Sequence, residues 1–78
     1  MGGASGNVEL IEFIVKAIVD EPDAVKVIEL DDGRLLELQT AEDDRGRVIG
    51  RQGRVAKAMR AVLAASRDGA DCRLDIVD

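Results

Sequence analysis

The residues best suited to chemistry are two glycines three positions apart, Gly50 and Gly53, with Arg51 and Gln52 between them. Because glycine has no Cβ, a turn built from these residues brings backbone N–H groups close to a ligand. Gly53 also opens an apolar-periodic segment, where a helix should begin with unpaired N–H groups and the positive end of its dipole. The pattern therefore predicts a turn that grips the phosphates of a nucleic-acid backbone.

Positive charge is concentrated around this glycine pair, although the whole chain has a net charge of −5. The segment 45–60 holds six positive residues and no acidic one, so the other 62 residues carry a net charge of −11. The six positive residues are Arg45, Arg47, Arg51, Arg54, Lys57 and Arg60. One basic patch on an acidic body favours oriented, weak-to-moderate binding of a polyanion over indiscriminate coating. The alternative is that the run is only a solvated helix face.

Residue types for catalysis and metal binding are scarce. The chain has no His and one Cys, which excludes the usual zinc sites. Ser5 lies near the N-terminus and Ser66 near a helix end, and no imidazole is available to activate either hydroxyl. The acidic pairs Asp31–Asp32 and Asp43–Asp44 are explained by a turn and a helix N-terminus without a cation. We therefore expect no enzyme activity, no metal, no cofactor and no small-molecule substrate.

Length and composition indicate one small domain. The 78 residues lie near the lower limit for a single core, with residues 1–6 expected to form a flexible tail and residues 7–78 the domain. No apolar run approaches the roughly 18 residues of a membrane span, so no membrane association is expected. Because Cys72 is alone, it forms no intramolecular disulfide and fits an apolar place in a terminal strand. A reducing cytoplasm is the expected location.

Apolar periodicity predicts the order helix, strand, strand, helix, helix, strand. Asn7 is expected to cap the first helix, and Pro22 to stop it. Asp31–Asp32–Gly33 is a hairpin turn signal between the first two strands. The expected elements are helix 7–20, strand 24–30, strand 34–40, a short helix ending near residue 50, helix 53–67 and strand 72–77. This order indicates an α+β fold, with a three-stranded sheet and three helices on one of its faces.

Side-chain alternation predicts which residues face the core. Leu36 and Leu38 should share one face of the second strand, together with Thr40. Thr40 and Asp43 resemble a capping box at the start of the short helix, and Asp68–Gly69 should end the long helix. In the long helix the apolar positions follow the spacing of one helix face. These positions are Val55, Ala58, Met59, Val62 and Leu63.

The segment Val48–Gly53, with the sequence Val-Ile-Gly-Arg-Gln-Gly, resembles the Val-Ile-Gly-x-x-Gly signature of KH domains. The predicted order, α-β-β-α-α-β, is that of the type II, prokaryotic KH fold, and the likeness extends from about Val8 to Val77. Within that class the chain resembles the small stand-alone bacterial KH proteins of the KhpA family. The resemblance lies in the helix Glu9–Ala17, in Pro22–Val25 and in the block Gly46–Ala58.

One residue departs from the family pattern. Arg45 stands where the family usually has an apolar residue, on the helix before the glycine turn. Either that helix is docked less firmly on the core or Arg45 extends the basic patch. Gly46 in the same helix costs about 1 kcal/mol relative to Ala. We therefore expect this short helix to be the most labile element.

The resemblance implies binding of single-stranded RNA in a groove about four nucleotides long, with the glycine turn clamping the RNA backbone. The residue types support this role, because Arg51 and Gln52 can donate to phosphate and sugar. Val48, Ile49 and Val55 can form an apolar floor for the bases. The near absence of aromatic residues also fits, since RRM and OB modules stack bases on aromatic rings. The expected RNA-binding residues are Arg47, Val48, Ile49, Gly50, Arg51, Gln52, Gly53, Arg54 and Lys57.

The resemblance also implies self-association and pairing with a larger KhpB-like protein that contains a KH domain. It links that complex to RNA chaperoning and to control of cell elongation and envelope synthesis. The residues themselves favour a weak homodimer through the long helix, whose small side chains let a second helix approach closely. These side chains are Ala56, Ala61, Ala64 and Ala65. The alternative is a protein–protein adaptor with a KH fold and little RNA binding, a reading supported by the net charge and the small size.

Overall fold

The computed structural model describes residues 6–66 and 72–77. The expected α+β fold with three helices and a three-stranded sheet is confirmed. The predicted tail, apart from Gly6, and the predicted helix end at Asp68–Gly69 lie outside the described residues. Single 3₁₀ turns lie at Pro22–Ala24, Asp31–Gly33, Glu42–Asp44 and Arg51–Gly53. The helices and strands are α1 (Gly6–Ile18), β1 (Lys26–Leu30), β2 (Leu35–Gln39), α2 (Arg45–Ile49), α3 (Arg54–Ala65) and β3 (Arg73–Ile76).

The sheet has β2 at its centre, antiparallel to β1 and parallel to β3. The predicted hairpin turn joins β1 to β2, and its residues Asp31 and Asp32 adopt φ angles of 53° and 55°. Asp tolerates this left-handed region better than most residues do. Because β2 and β3 are parallel, the chain must cross over between them, and α2 and α3 form that crossover. β3 is thereby left at an edge of the sheet.

The core lies between the helices and one face of the sheet. Leu36 and Leu38 of β2 are fully buried, as predicted, and the register sets Leu74 of β3 beside Leu36. Ile11 and Val15 of α1 cover them from the helical side, and both are fully buried. The register places Ile28, Leu30 and Glu37 on the opposite face, where the two aliphatic side chains are exposed. The helices therefore cover a single face of the sheet.

The long helix α3 turns a different face to the core from the one predicted. Its buried residues are Ala56, Met59 and Leu63, whereas Ala58 and Val62 are exposed. Small and apolar side chains surround most of this helix, so two orientations satisfy the apolar spacing equally well. The prediction for Met59 and Leu63 is confirmed, and that for Ala58 and Val62 is wrong.

The start of α1 also differs from the prediction. The helix includes Gly6, which was expected in the tail, and Asn7 lies within the helix and not at its N-cap. Asn7 is buried, and its Oδ1 accepts a hydrogen bond from the Ser66 hydroxyl at 3.4 Å. This contact joins the beginning of α1 to the end of α3.

The predicted capping box at Thr40 and Asp43 is wrong. The Thr40 hydroxyl donates to the Ala41 carbonyl at 3.0 Å. No side chain caps the 3₁₀ turn Glu42–Asp44 or the helix α2 that follows it. The neighbouring Asp44, which is only 2% exposed, holds two parts of the chain together. It accepts hydrogen bonds from the backbone N–H groups of Asp20 and Glu21, each at 3.1 Å. Asp44 therefore ties the chain after α1 to the beginning of α2.

We predict that Asp44→Ala lowers the free energy of unfolding by about 1–3 kcal/mol, because two partly buried N–H groups lose their acceptor. Asp43→Ala is the matched control, since the neighbouring carboxylate is exposed. Urea unfolding of both variants measures the difference. Equal stability of the two variants would contradict the role assigned to Asp44.

Candidate nucleic-acid interface

The turn between α2 and α3 depends on two glycines in the left-handed region. Gly50 has φ of 80° and Gly53 has φ of 76°, and Gln52 between them has φ of 58°. A Cβ added to Gly50 would lie 2.5 Å from Val55 Cγ2 and 2.8 Å from the Val55 backbone nitrogen. A Cβ added to Gly53 would meet no atom within 4 Å. Gly50 is therefore required by close packing as well as by its backbone conformation, and Gly53 by conformation alone.

The tip of this turn and the start of α3 are open to an anion. Arg51 and Gln52 are exposed, so both side chains can donate hydrogen bonds to a ligand. No side chain caps the N-terminus of α3 at Gly53, and its first turn contains no acidic residue. Unpaired N–H groups and the positive end of the helix dipole at such a terminus attract phosphate.

A groove of about 450 Å³ runs beside the turn. One wall comes from the end of α2, the turn and α3, and the other comes from β3 and the residue after it. Ile49 gives the first wall an apolar surface, with its side chain 37% exposed. The lining residues are Ile49, Gly53, Ala56, Lys57, Arg60, Asp75, Ile76 and Val77.

Among the residues that the structure describes, β3 has a strand partner on one side only, and its other side forms the second wall. The N–H groups of Arg73 and Val77 donate to carbonyls of the chain at β2, at 2.7 and 2.9 Å. Because backbone groups alternate along a strand, those of Leu74 and Ile76 point away from β2. The Leu74 carbonyl accepts two hydrogen bonds from the Arg60 guanidinium, at 3.0 and 3.1 Å. Ile76 leaves a backbone donor and acceptor on the edge that borders the groove.

Most of the residues expected to bind RNA lie around this groove. Ile49, Gly53 and Lys57 line it, and Gly50 shapes the turn beside it. Arg51 and Gln52 form the tip, and Arg54 is exposed at the start of α3. The basic side chains and the glycine turn therefore share one wall.

Two of the expected residues have other surroundings. Arg47 donates from Nη1 to Asp20 Oδ1 at 2.8 Å, and its side chain does not border the groove. Both side chains of this pair are largely exposed, so the ion pair contributes at most about 1 kcal/mol. Val48 is fully buried, so it supports the turn from the core and cannot form the floor of the groove. Val55 is half-buried beneath Gly50.

The residues of the second wall had no signal in the sequence. Asp75, Ile76 and Val77 belong to a segment predicted as a strand, but nothing in the sequence shows that this strand lies at the edge opposite α3. Arg60 belongs to the basic patch that was expected to bind a polyanion. Two of its N–H groups are instead held by the Leu74 carbonyl, which joins α3 to β3 across the base of the groove.

Other chemistry has little support in the part of the chain that the structure describes. There, no group of three or more His, Cys, Asp or Glu residues is arranged to hold a metal ion. Burial and the negative charge of Glu29 raise the pKa of the Cys72 thiol, which keeps it protonated and weakly reactive at neutral pH. No helix within the described ranges is long and apolar enough to cross a bilayer.

The fold and the glycine turn are those of a KH domain, and comparison with known proteins gives the family. The family model described as KhpA/KhpB, KH domain, matches residues 8–76, so the chain belongs to this family. The family is not one of enzymes, which confirms the expectation that the chain is not an enzyme. No solved structure gives a significant match.

Several bacterial proteins called "RNA-binding protein KhpA" are similar to the chain over most of its length. The protein of Halalkalibacterium halodurans is 52% identical over 73 residues, covering 88% of this chain and 96% of its own. That of Borreliella burgdorferi is 46% identical over 78 residues, covering 94% and 95%. That of Streptomyces coelicolor is 49% identical over 72 residues, covering 90% of each.

The two glycines of the turn should respond differently to substitution. We predict that Gly53→Ala costs about 1–2 kcal/mol of stability, the price of a left-handed backbone with a Cβ. Gly50→Ala should cost more, because its Cβ also overlaps Val55. Denaturant unfolding of the two variants compares these costs directly. A Gly50→Ala protein as stable as the Gly53→Ala protein would show that the contact with Val55 is easily relieved.

Proposed function

We propose that the protein binds single-stranded RNA in the groove between α3 and β3. This proposal rests on one observation: two walls of different chemistry face each other across the same groove. One wall offers a glycine turn, an uncapped helix N-terminus and positive side chains, which suit phosphates. The other offers an open strand edge with backbone donors and acceptors, which suit the edges of bases. RNA would lie with its backbone against the turn and its bases directed toward β3.

The groove suits a single strand better than a duplex. Bases must be unstacked and turned toward β3 to reach the edge of the sheet, and paired bases cannot do this. Phe13, the only aromatic residue of the chain, is 76% exposed on α1 and does not line the groove. Without an aromatic platform for stacking, affinity for short RNA should be on the order of micromolar or poorer.

The relatives are called RNA-binding proteins, and this name supports RNA binding as the general function of the chain. We further propose that this protein acts in the cytoplasm as an RNA chaperone or post-transcriptional regulator. Its partner would be a larger KhpB-like protein, a suggestion that the joint KhpA/KhpB family model supports. Effects on cell elongation and envelope synthesis belong to the same proposal.

Self-association is proposed through the outer face of α3. Ala56 cannot take part, because it is buried in the core. Ala61, Ala64 and Ala65 are exposed, and Val62 is 43% exposed beside them. Burying such a surface against a second copy would add stability to a small domain. The same surface would serve the alternative function, a protein–protein adaptor with little RNA binding of its own.

The clamp is tested by replacing both residues at the tip of the turn. We predict that the double variant Arg51→Asp, Gln52→Asp keeps its fold, because both side chains are exposed, and loses detectable RNA binding, because two carboxylates then face phosphate. Fluorescence anisotropy with a short labelled single strand measures the loss. Wild-type affinity should fall as salt is raised, and a duplex of the same sequence should bind less well.

The matched control is the double variant Lys16→Asp, Ala17→Asp. It changes the net charge by the same amount, at two adjacent exposed positions on α1 that do not border the groove. Its RNA affinity should stay well above that of the clamp variant. Wild-type affinity in the clamp variant, or equal losses in both variants, would contradict a clamp at the glycine turn.

The dimer is tested by placing a charge on the outer face of α3. We predict a weak homodimer that Ala61→Asp dissociates without unfolding the monomer, since residue 61 is exposed. Ala17→Asp on α1 is the control and should leave association unchanged. Sedimentation velocity over a wide concentration range measures both. A wild-type protein that remains monomeric at hundreds of micromolar would contradict the proposed dimer.

A further inference from the structure

The outer edge of β3, the side that faces away from β2, carries backbone groups that a further strand can bind. Within the described ranges 6–66 and 72–77, β3 pairs with β2 alone. The N–H groups of Arg73 and Val77 donate toward β2, so the backbone groups of Leu74 and Ile76 point to the outer edge. Unpaired groups on a strand edge are a template for pairing with another chain.

Arg60 occupies one of these groups. Its Nε and Nη2 atoms donate to the Leu74 carbonyl at 3.1 and 3.0 Å, so two donors of one guanidinium converge on a single acceptor. Hydrogen bonds from a charged donor are stronger than those between neutral peptide groups. A second strand would have to displace both bonds before its own N–H group could reach Leu74. The Arg60 side chain also borders the groove along this edge.

The sequence of β3 favours pairing with β3 of a second copy when its edge is open. In an antiparallel pair centred on Leu74, Arg73 of each copy lies opposite Asp75 of the other, which gives two pairs of opposite charge. Both side chains are exposed. The register also sets Asp75 beside Glu37 on β2, where two like charges repel each other. An arginine from a second copy would relieve this repulsion.

We propose that Arg60 blocks pairing of β3 with a second copy of the chain and so keeps this edge accessible to RNA. The block depends on the two hydrogen bonds from Arg60 to Leu74. The benefit for RNA rests on the proposed function, in which bases are directed toward β3. Arg60 thus acts through the backbone of β3 as a positioning residue.

The test removes the two donors in a protein that cannot associate through α3. Ala61→Asp supplies that background and should be monomeric at hundreds of micromolar. Adding Arg60→Met, which has no donor, should produce a dimer in sedimentation velocity. The amide of Leu74 should become protected from hydrogen exchange in that dimer, because it then donates to the second copy. Thermal melting by circular dichroism checks that each variant is folded.

Lys57→Met in the same background is the matched control. Lys57 also borders the groove from α3, and it makes no side-chain hydrogen bond to β3 within the described ranges. The control loses the same charge and should remain monomeric. Arg60→Lys, which keeps the charge but not the fork of two donors, is a second variant and should dimerise more weakly than Arg60→Met. Adding Asp75→Arg to the Arg60→Met protein should restore the monomer, since Arg73 would then face an arginine.

A short single-stranded RNA separates the two parts of the proposal. It should dissociate the Arg60→Met dimer, because RNA and a second strand compete for the same edge. A monomeric Arg60→Met protein, or an equal dimer in the Lys57→Met control, overturns the block. A dimer that binds RNA and stays intact overturns the benefit for RNA, although RNA binding itself stands. If wild type binds no RNA, the proposed function is overturned, whereas a dimer of Arg60→Met would still support the block.

Discussion

The contact between Gly50 and Val55 is the constraint on which the rest of the site depends. At Gly50 the backbone approaches the first turn of α3 so closely that a Cβ would lie 2.8 Å from the Val55 nitrogen. This approach lets α2 end and α3 begin within a single short turn, which leaves Arg51 and Gln52 at an exposed tip. It also fixes the direction of α3, and so the wall that faces β3.

Two further interactions hold α2 and α3 in place. Asp44 anchors the beginning of α2 to the chain that follows α1, through two backbone hydrogen bonds in a buried place. Arg60 anchors α3 to β3 by donating two hydrogen bonds to the Leu74 carbonyl. Arg60 thus joins the two elements between which the groove lies. Such pre-organisation lowers the entropic cost of binding a flexible strand. A five-residue helix such as α2 would have little stability without these contacts.

Much of the fold could be predicted from local patterns. The alternation of Leu36 and Leu38, the Asp-Asp-Gly turn and the glycine pair each reflect interactions between residues close in the chain, and the structure has all three. The face of α3 was predicted wrongly at Ala58 and Val62 because alanines make nearly every side of that helix acceptable to a core. Packing against the other elements of the core, which local spacing does not show, buries Ala56, Met59 and Leu63.

The site was predicted less completely than the fold, since its second wall comes from distant parts of the chain. The role of Asp44 depends on backbone N–H groups more than twenty residues away, and no local pattern marks it. The same holds for the pairing of Arg60 with Leu74 and for Asp75 at the groove, which depend on the order of strands in the sheet. Val48 is the opposite case. It belongs to the sequence signature of the turn, yet its side chain is buried in the core and cannot contact a ligand in the groove.

The most direct test of the central claim is an NMR titration of ¹⁵N-labelled protein with a short single-stranded RNA. If RNA lies in the groove between α3 and β3, amide shifts should change at Gly50–Gly53, in the first turn of α3 and at residues 75–77. The exposed sheet face around Ile28 and Leu30 should stay unchanged and serves as the internal reference. Shifts confined to that face or to α1 around Phe13, with the glycine turn unaffected, would contradict the account.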